Sequence, residues 1–314
     1  MGLLVAILAF VFIIGLCIGS FLNVVILRAL SEESIVFPAS KCPKCQTPLK
    51  WWHNIPVLSY IFLGGKCAFC KEKISIQYPI IELVTGLIFT LIFLKFGISI
   101  ETLFMWTIAS VMVAMAGTDI KEKVVFDAHT YTFIGLGFLN TLYLTGALYF
   151  TNHEFTFNLI ITSVIGAVLG GLIMEILARA GYLIAGTRAF GEGDTFIAIG
   201  LGALFGWQPL LIILALSVAI QVILFLPIFI KGLITGKHWK TLVSFLLFVI
   251  YAICFCLLNL EGAAYIVGAI VLAILGVFTC LYILKGLKEA PENRTYMPFG
   301  PAMVLAGLIA ILLL

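Results

Sequence analysis

The sequence predicts an all-α polytopic membrane protein. It has eight to ten transmembrane helices, ten favoured, and a small cytoplasmic loop domain stapled by a four-cysteine metal site. Three observations carry that expectation. Of 314 residues, 63% are hydrophobic and 11% charged, with a mean hydropathy of +1.21; a soluble domain is nearer ~25% charged and ~45–50% apolar. The apolar residues fall into separated segments of near-membrane length. The basic residues gather between alternate segments. This composition excludes a water-soluble fold and a disordered chain, and it argues against a peripheral protein with one anchor. Eight cysteines are too few for a dense disulfide scaffold. A net charge of +3 gives no footing for a nucleic-acid partner.

The partner that matters first is the lipid bilayer. Lipid offers backbone groups no hydrogen-bond partner, so the chain crosses as helices of ~20 apolar residues. Segments 2–27, 78–97, 102–118, 128–150, 157–184, 194–206, 209–230, 241–259, 263–285 and 298–314 reach or approach that length. The sixth reads either as a short buried helix or as one that starts within the 186–193 loop. The first has no basic flank before it, is too long for a cleaved leader and is followed by Arg28, so it reads as a retained anchor. With Met1 outside and ten alternating spans, only Lys95 of the 18 Lys and Arg lies outside, Arg179 snorkelling from the inner end of the fifth span. The expected divisions are an anchor at 1–27, a cytoplasmic loop at 28–77, a membrane core at 78–206, additional helices at 207–297 and a last helix at 298–314.

The loop at 28–77 holds Cys42-Pro-Lys-Cys45 and Cys67-Ala-Phe-Cys70, two C-x2-C pairs separated by 21 residues. Each pair presents two thiolates from one turn, and two such turns complete a tetrahedron around zinc or a similar thiophilic metal. Nearby lysines favour the thiolates. Four protein ligands leave no open position, so the metal is expected to be structural. Two disulfides are the rival reading, but they need an oxidising compartment. His53, beside Trp51 and Trp52, reads as a packing residue, and Cys17, Cys254, Cys256 and Cys280 read as small hydrophobes in spans.

Acidic side chains in lipid are costly and are functional candidates there. Nine of the 15 acids fall in solvated loops; Glu82, Asp119, Asp127, Glu175, Glu192 and Asp194 remain. Asp119 ends the third span. Asp194 opens the sixth, within Gly191-Glu192-Gly193-Asp194. Both fall at the cytoplasmic boundary. Two carboxylates held close do not both ionise, so the pair splits into an acid and a base. Such a pair activates water against a peptide bond without a metal. Gly191 and Gly193 would let an extended backbone approach. The alternatives are a helix cap for Asp194 and a solvent-touching helix end for Asp119. Helix dipoles favour Asp194 as the initial base and Asp119 as the acid. Asp127 reads as the N-cap of the fourth span, and Glu82 as a buried hydrogen-bonding or substrate-binding residue. Glu175 pairs with Arg179 at i,i+4. Gly15-x3-Gly19, Gly166-x3-Gly170, Gly135-x-Gly137 and Gly200-x-Gly202 read as helix-packing surfaces. No G-x-G-x-x-G follows a strand, so no Rossmann cofactor site is legible. A transporter with a carboxylate relay would need inverted repeats and a midplane pair, and the sequence offers neither.

The ordered set Gly19-Ser-Phe-Leu-Asn-Val-Val-Ile-Leu-Arg28, Cys42-Pro-Lys-Cys45, Asn54-Ile-Pro56, Cys67-x2-Cys70, Tyr78-Pro79-x2-Glu82, Asp119, Gly191-x-Gly193-Asp194 and Pro298-Phe-Gly-Pro301 resembles the type IV prepilin peptidases, also called leader peptidase/N-methyltransferases. The resemblance covers about 15–206 plus 296–303. It implies an intramembrane aspartic peptidase of a bacterial inner membrane. It would cleave the basic leader of a type IV prepilin or pseudopilin after Gly at the cytoplasmic face, with Asp119 and Asp194 as the catalytic pair. It also implies N-methylation of the new terminus with S-adenosylmethionine, and Cys42, Cys45, Cys67 and Cys70 as metal ligands. The family's Ile/Leu-Pro-Asp stands here as Val125-Phe126-Asp127, and 225–295 carries none of its motifs.

Overall fold

Apolar segments of this length become helices, and the computed structural model follows that rule. It describes residues 2–152, 157–185, 190–235 and 298–314, with isolated positions between 240 and 275. The described helices are α1 (Gly2–Ser31), α2 (Leu58–Phe62), α3 (Gln77–Phe96), α4 (Ile100–Glu122), α5 (Asp127–Asn152), α6 (Phe157–Ala185), α7 (Glu192–Phe205), α8 (Trp207–Thr235) and α9 (Gly300–Leu313), with a 3-10 turn at Trp51–Asn54. Six of these are long and apolar enough to cross a membrane: α1, α3, α4, α5, α6 and α8. The expected spans 241–259 and 263–285 lie outside the continuously described residues.

The chain divides into two units. Unit 1 comprises Met1–Arg179, Phe190–Val218 and Pro298–Leu314 and contains every site residue discussed below; unit 2 comprises Ala180–Ala189 and Ala219–Met297. Within unit 1, α1 packs along α3 at small residues. A Cβ on Gly15 would stand 2.7 Å from Gly86 Cα, and one on Gly19 would stand 2.7 Å from Glu82 Cα. Without side chains there, the backbones meet directly. Gly166 and Gly170 on α6 approach the backbone of α7 at Gly202 and Ala198 in the same way, and Gly137 on α5 approaches Leu204. Gly135 is a correction: a Cβ added there would meet nothing within 4 Å among the described residues, so it forms no packing surface with them.

α7 is short and buried, and it starts at Glu192, inside the 186–193 loop, so each of the two readings holds in part. Its 14 residues rise only ~21 Å, against a ~30 Å hydrocarbon layer. Ile197, Ala198, Leu201 and Ala203 are fully buried. The helix ends at Gly206, whose φ of 78° turns the chain straight into α8. That turn strands the Ala203 carbonyl. Buried Thr141 of α5 donates to it at 3.2 Å, and buried Ser163 of α6 donates as well, so the helix end leaves no orphan acceptor.

Cross-contacts define one functional end of unit 1. Asn23 of α1 donates to Tyr78 O at 3.1 Å at the start of α3. Ile26 of α1 fills the space beside Gly117 on α4, and Val125, before α5, lies on Gly193 of α7. Gly300, which starts α9, lies on Asp119. α9 therefore starts at this end, the direction expected of the tenth span. At its other end, Lys95 of α3 donates to Ile311 O at 2.9 Å. The one base that the charge asymmetry leaves outside thus caps the C-terminus of α9, where a cation is favoured.

Candidate active site and cysteine module

Asp119 and Asp194 come together although 75 positions separate them in the chain. They are 5% and 4% exposed, and each lies within electrostatic reach of the other. Asp194 stands in the first turn of α7, where its Oδ2 accepts the Gly191 amide at 3.0 Å. The side chain reaches back over its own helix start, which fixes its rotamer and places a donor on the anion. Asp119 stands near the end of α4, and its Oδ2 has no hydrogen-bond partner. The Gly300 amide faces both carboxylates. This arrangement is a buried pair of acids with unequal partners, which is the requirement for one base and one acid.

The flanking residues sort themselves. Gly193 faces Val125, whose Cβ would be 2.7 Å from an added Cβ. Its lack of a side chain admits the α4–α5 connection, not an incoming backbone as expected from sequence. Asp127 is exposed and occupies the first turn of α5. The Phe126 carbonyl, not Asp127, accepts the first helical bonds, from His129 at 3.0 Å and Thr130 at 3.1 Å. Asp127 is therefore no N-cap; it favours the helix start by charge alone. Glu82 is 6% exposed and accepts the Val57 amide at 2.7 Å through Oε2. Ser20 of α1 also reaches it. Val57 holds φ 61°, an unfavourable angle for a β-branched residue. Glu82 thus ties a strained point of the 28–77 loop to the α1–α3 pair. Glu175 and Arg179 pair at 2.8 Å, as their spacing predicts.

The cysteine module is built from two copies of one turn. Cys42 accepts the Gln46 amide at 2.9 Å through its carbonyl, and Cys67 accepts that of Lys71 at 3.1 Å. The residue after each second cysteine, Gln46 or Lys71, has φ near 60° (56° and 60°). Short pairings of Lys41 with Pro48 and Lys66 with Lys73 close the two turns. The four sulfurs lie within 4.8 Å of one another, and Cys42 Sγ is 3.8 Å from Cys70 Sγ. A tetrahedron with metal–sulfur bonds of ~2.3 Å has edges of about 3.8 Å. A disulfide needs ~2.05 Å, and all four thiols are free. The donor set therefore fits a tetrahedral thiophilic metal. The Thr47 hydroxyl and then its amide hold Cys45 down at about 6. The Cys70 and Phe69 amides lower Cys67. The Glu72 amide pulls Cys70 down, but burial and the neighbouring thiols together push it up to about 11. Four thiols this close cannot all ionise without a cation among them. His53 packs edge-on against Trp52 at 5.8 Å and Phe69 at 5.4 Å, outside the sulfur cluster, as a packing residue.

Sequence reasoning gave Pro298-Phe299-Gly300-Pro301 no role, and Gly300 turns out to lie on the pair. The only signal was the motif itself, more than a hundred residues from Asp194.

Comparison with known proteins agrees in extent with these two parts. Residues 13–96 match the Bacterial Peptidase A24 N-terminal domain, and residues 106–226 match the Type IV leader peptidase family. A prepilin leader peptidase/N-methyltransferase of Myxococcus xanthus is 35% identical over 202 residues, 64% of this chain and 57% of that relative. One of Neisseria gonorrhoeae is 33% identical over 229 residues, 65% of this chain and 76% of that relative. One of Pseudomonas aeruginosa is 31% identical over 323 residues, 96% of this chain and 88% of that relative. No solved structure matches the chain.

Proposed function

We infer the function of this chain from its family: it belongs to the type IV leader peptidase family. It is a prepilin leader peptidase with N-methyltransferase activity, a multi-pass protein of the bacterial inner membrane. Its substrates are type IV prepilins or pseudopilins. Asp119 and Asp194 are the catalytic pair. The observation that carries this assignment is their joint burial on two helices, with the Gly191 amide on one and an unpartnered oxygen on the other.

The chemistry follows from the two environments. Asp194, holding a donated hydrogen bond at a helix N-terminus, is the resting base and takes a proton from water. The water oxygen adds to the scissile carbonyl after the leader Gly. Asp119, at a helix C-terminus, holds the shared proton and delivers it as the peptide C–N bond breaks. Leader and mature pilin leave as carboxylate and amine. With Met1 outside, the pair and the loop at 28–77 lie at the cytoplasmic face. There a basic leader stays in water while the apolar segment behind it enters lipid.

Cys42, Cys45, Cys67 and Cys70 would hold a zinc ion or a similar metal, which would cross-link a loop too small to fold on its own core. The methyl donor that the N-methyltransferase name implies is S-adenosylmethionine, which when bound would supply an electrophilic methyl group for the new amine.

The test is cleavage of a co-expressed prepilin in membranes. Asp119→Asn and Asp194→Asn, inserted at wild-type levels, each lose cleavage. Wild-type-like cleavage by either one would remove that residue from the pair. Mass spectrometry of the mature pilin reads methylation separately, as an increment of roughly 14 Da.

A further inference from the structure

We propose that Gly300 is a positioning residue of the aspartate pair: its amide is the donor that both carboxylates share and that closes on the unpartnered Asp119 oxygen during the reaction, and its missing side chain is what lets α9 come that close. This rests on the peptidase reading of Asp119 and Asp194 and goes beyond it.

Three observations converge. The first is steric. A Cβ at position 300 would collide with Asp119 Oδ2 and stand 3.2 Å from its Cγ. It would also stand 3.2 Å from Ile197 Cδ1, so any side chain at 300 displaces the Asp119 carboxylate from its place against α9.

The second concerns the donors of the first turn. A helix start normally leaves several amides free. Here Pro301 has none to offer. The Ala302 and Met303 amides are both spent on the Phe299 carbonyl, at 3.1 and 3.2 Å. Gly300 is thus the first-turn amide of α9 left for another acceptor, and it faces both aspartates.

The third is the acceptor. Asp119 Oδ2 is buried and has no partner that meets hydrogen-bond geometry. An orphaned carboxylate oxygen is costly unless a donor closes on it during the reaction. The Gly300 amide is the donor at hand, at the positive end of the α9 dipole.

Phe299 fixes where this amide points. Its ring packs on Phe190 at 5.0 Å, one residue before Gly191. The starts of α7 and α9 are thereby clamped together, and with them the two amides that address the pair. The flanking prolines narrow the backbone on either side.

The experiment measures kcat, KM and the pH–rate profile for prepilin cleavage by the full chain in membrane vesicles. The variants are wild type, Gly300→Ala, Phe299→Ala, Gly307→Ala and Asp119→Asn. Gly300→Ala is expected to lower kcat about 100-fold, the scale of losing one fixed donor. Its KM stays within twofold, and the acid limb of the profile moves to higher pH, because a carboxylate that loses a donor ionises later. Phe299→Ala adds no bulk, so it tests the aim of the amide without crowding α9; it is expected to lower kcat about tenfold with the same displaced limb. Gly307→Ala, equally crowded but against Leu201 and Met112, keeps the wild-type limb.

The proposal is overturned if Gly300→Ala keeps wild-type kcat and profile. It is also overturned if Phe299→Ala leaves the limb in place, or if Gly307→Ala moves it as far. Asp119→Asn separates the two levels. If that variant is inactive while Gly300→Ala cleaves normally, only the role of Gly300 fails. If it cleaves normally, the catalytic pair itself fails.

Discussion

The cysteine module and the aspartate pair are both four- to five-point constructions, but they are held together by opposite means. Each half of the module closes within eight residues: Lys41 pairs with Pro48 and Lys66 with Lys73. Its geometry is turn chemistry, repeated twice. The aspartate pair has no local frame. It exists because α4, α7 and α9 meet, with Gly300 on Asp119 and Gly307 on Leu201 and Met112, while Gly166 and Gly202 let α6 touch α7 backbone to backbone. A local site is expected to survive damage to the bundle, whereas a packed site fails with it.

The largest effect that sharpens this contrast is at the pair itself. Asp119→Asn or Asp194→Asn is expected to lower cleavage about 10³-fold, with the metal content of the protein unchanged by elemental analysis. Next comes Gly202→Leu. Its side chain is driven into the Gly166–Ala167 backbone, 2.7 Å from Ala167 N, and overpacking of this kind costs about 3 kcal/mol. Thermal unfolding in nanodiscs should show the loss, and cleavage should fall with it, while the four thiols still bind metal. Persistence of cleavage would break the contrast.

The reverse damage is smaller. Cys42→Ser with Cys45→Ser is expected to abolish metal binding and methylation but to reduce cleavage less than either aspartate change. Glu82→Gln weakens the one hydrogen bond that ties Val57 to α3, by about 1 kcal/mol. Limited proteolysis should then cut the loop before α2 faster, with the metal retained. The smallest effect is chemical. In metal-stripped protein at pH 7, Cys45, which titrates at about 6, is largely thiolate; Cys70, at about 11, is not. The thiolate is the nucleophile, so peptide mapping after brief alkylation should find Cys45 labelled ahead of Cys70.

The same contrast explains what could be read in advance. Period, length and charge located α1, α3 to α6, α8 and the direction of α9, because the bilayer imposes those on sequence directly. Two C-x2-C pairs announced their cluster, because the turn that makes it is contiguous. Even Lys95, the exception to the charge pattern, has a local cause in the C-terminus of α9. What escaped were contacts made at a distance. Gly193 looked like a gap for substrate, yet Val125 fills it. Gly135 looked like Gly137 but faces nothing among the described residues. Asp127 had the residue type of a cap but sits one position too late. Gly300 carried no charge and no spacing relation to either aspartate. Its role is a matter of which backbone it lies on, and sequence does not write that down.

α7 is pinned at both ends. At its start, Asp194 grips the Gly191 amide; at its finish, Ser163 and Thr141 hold the Ala203 carbonyl. A helix clamped at two points has no slack to absorb an added or deleted residue. One extra residue would swing Asp194 by about 100° and shift it about 1.5 Å along the axis, away from Asp119. The helix therefore behaves as a ruler of fixed length. Variation in where such an enzyme cuts relative to the lipid surface must come from the helices around α7, since α7 itself admits no intermediate settings.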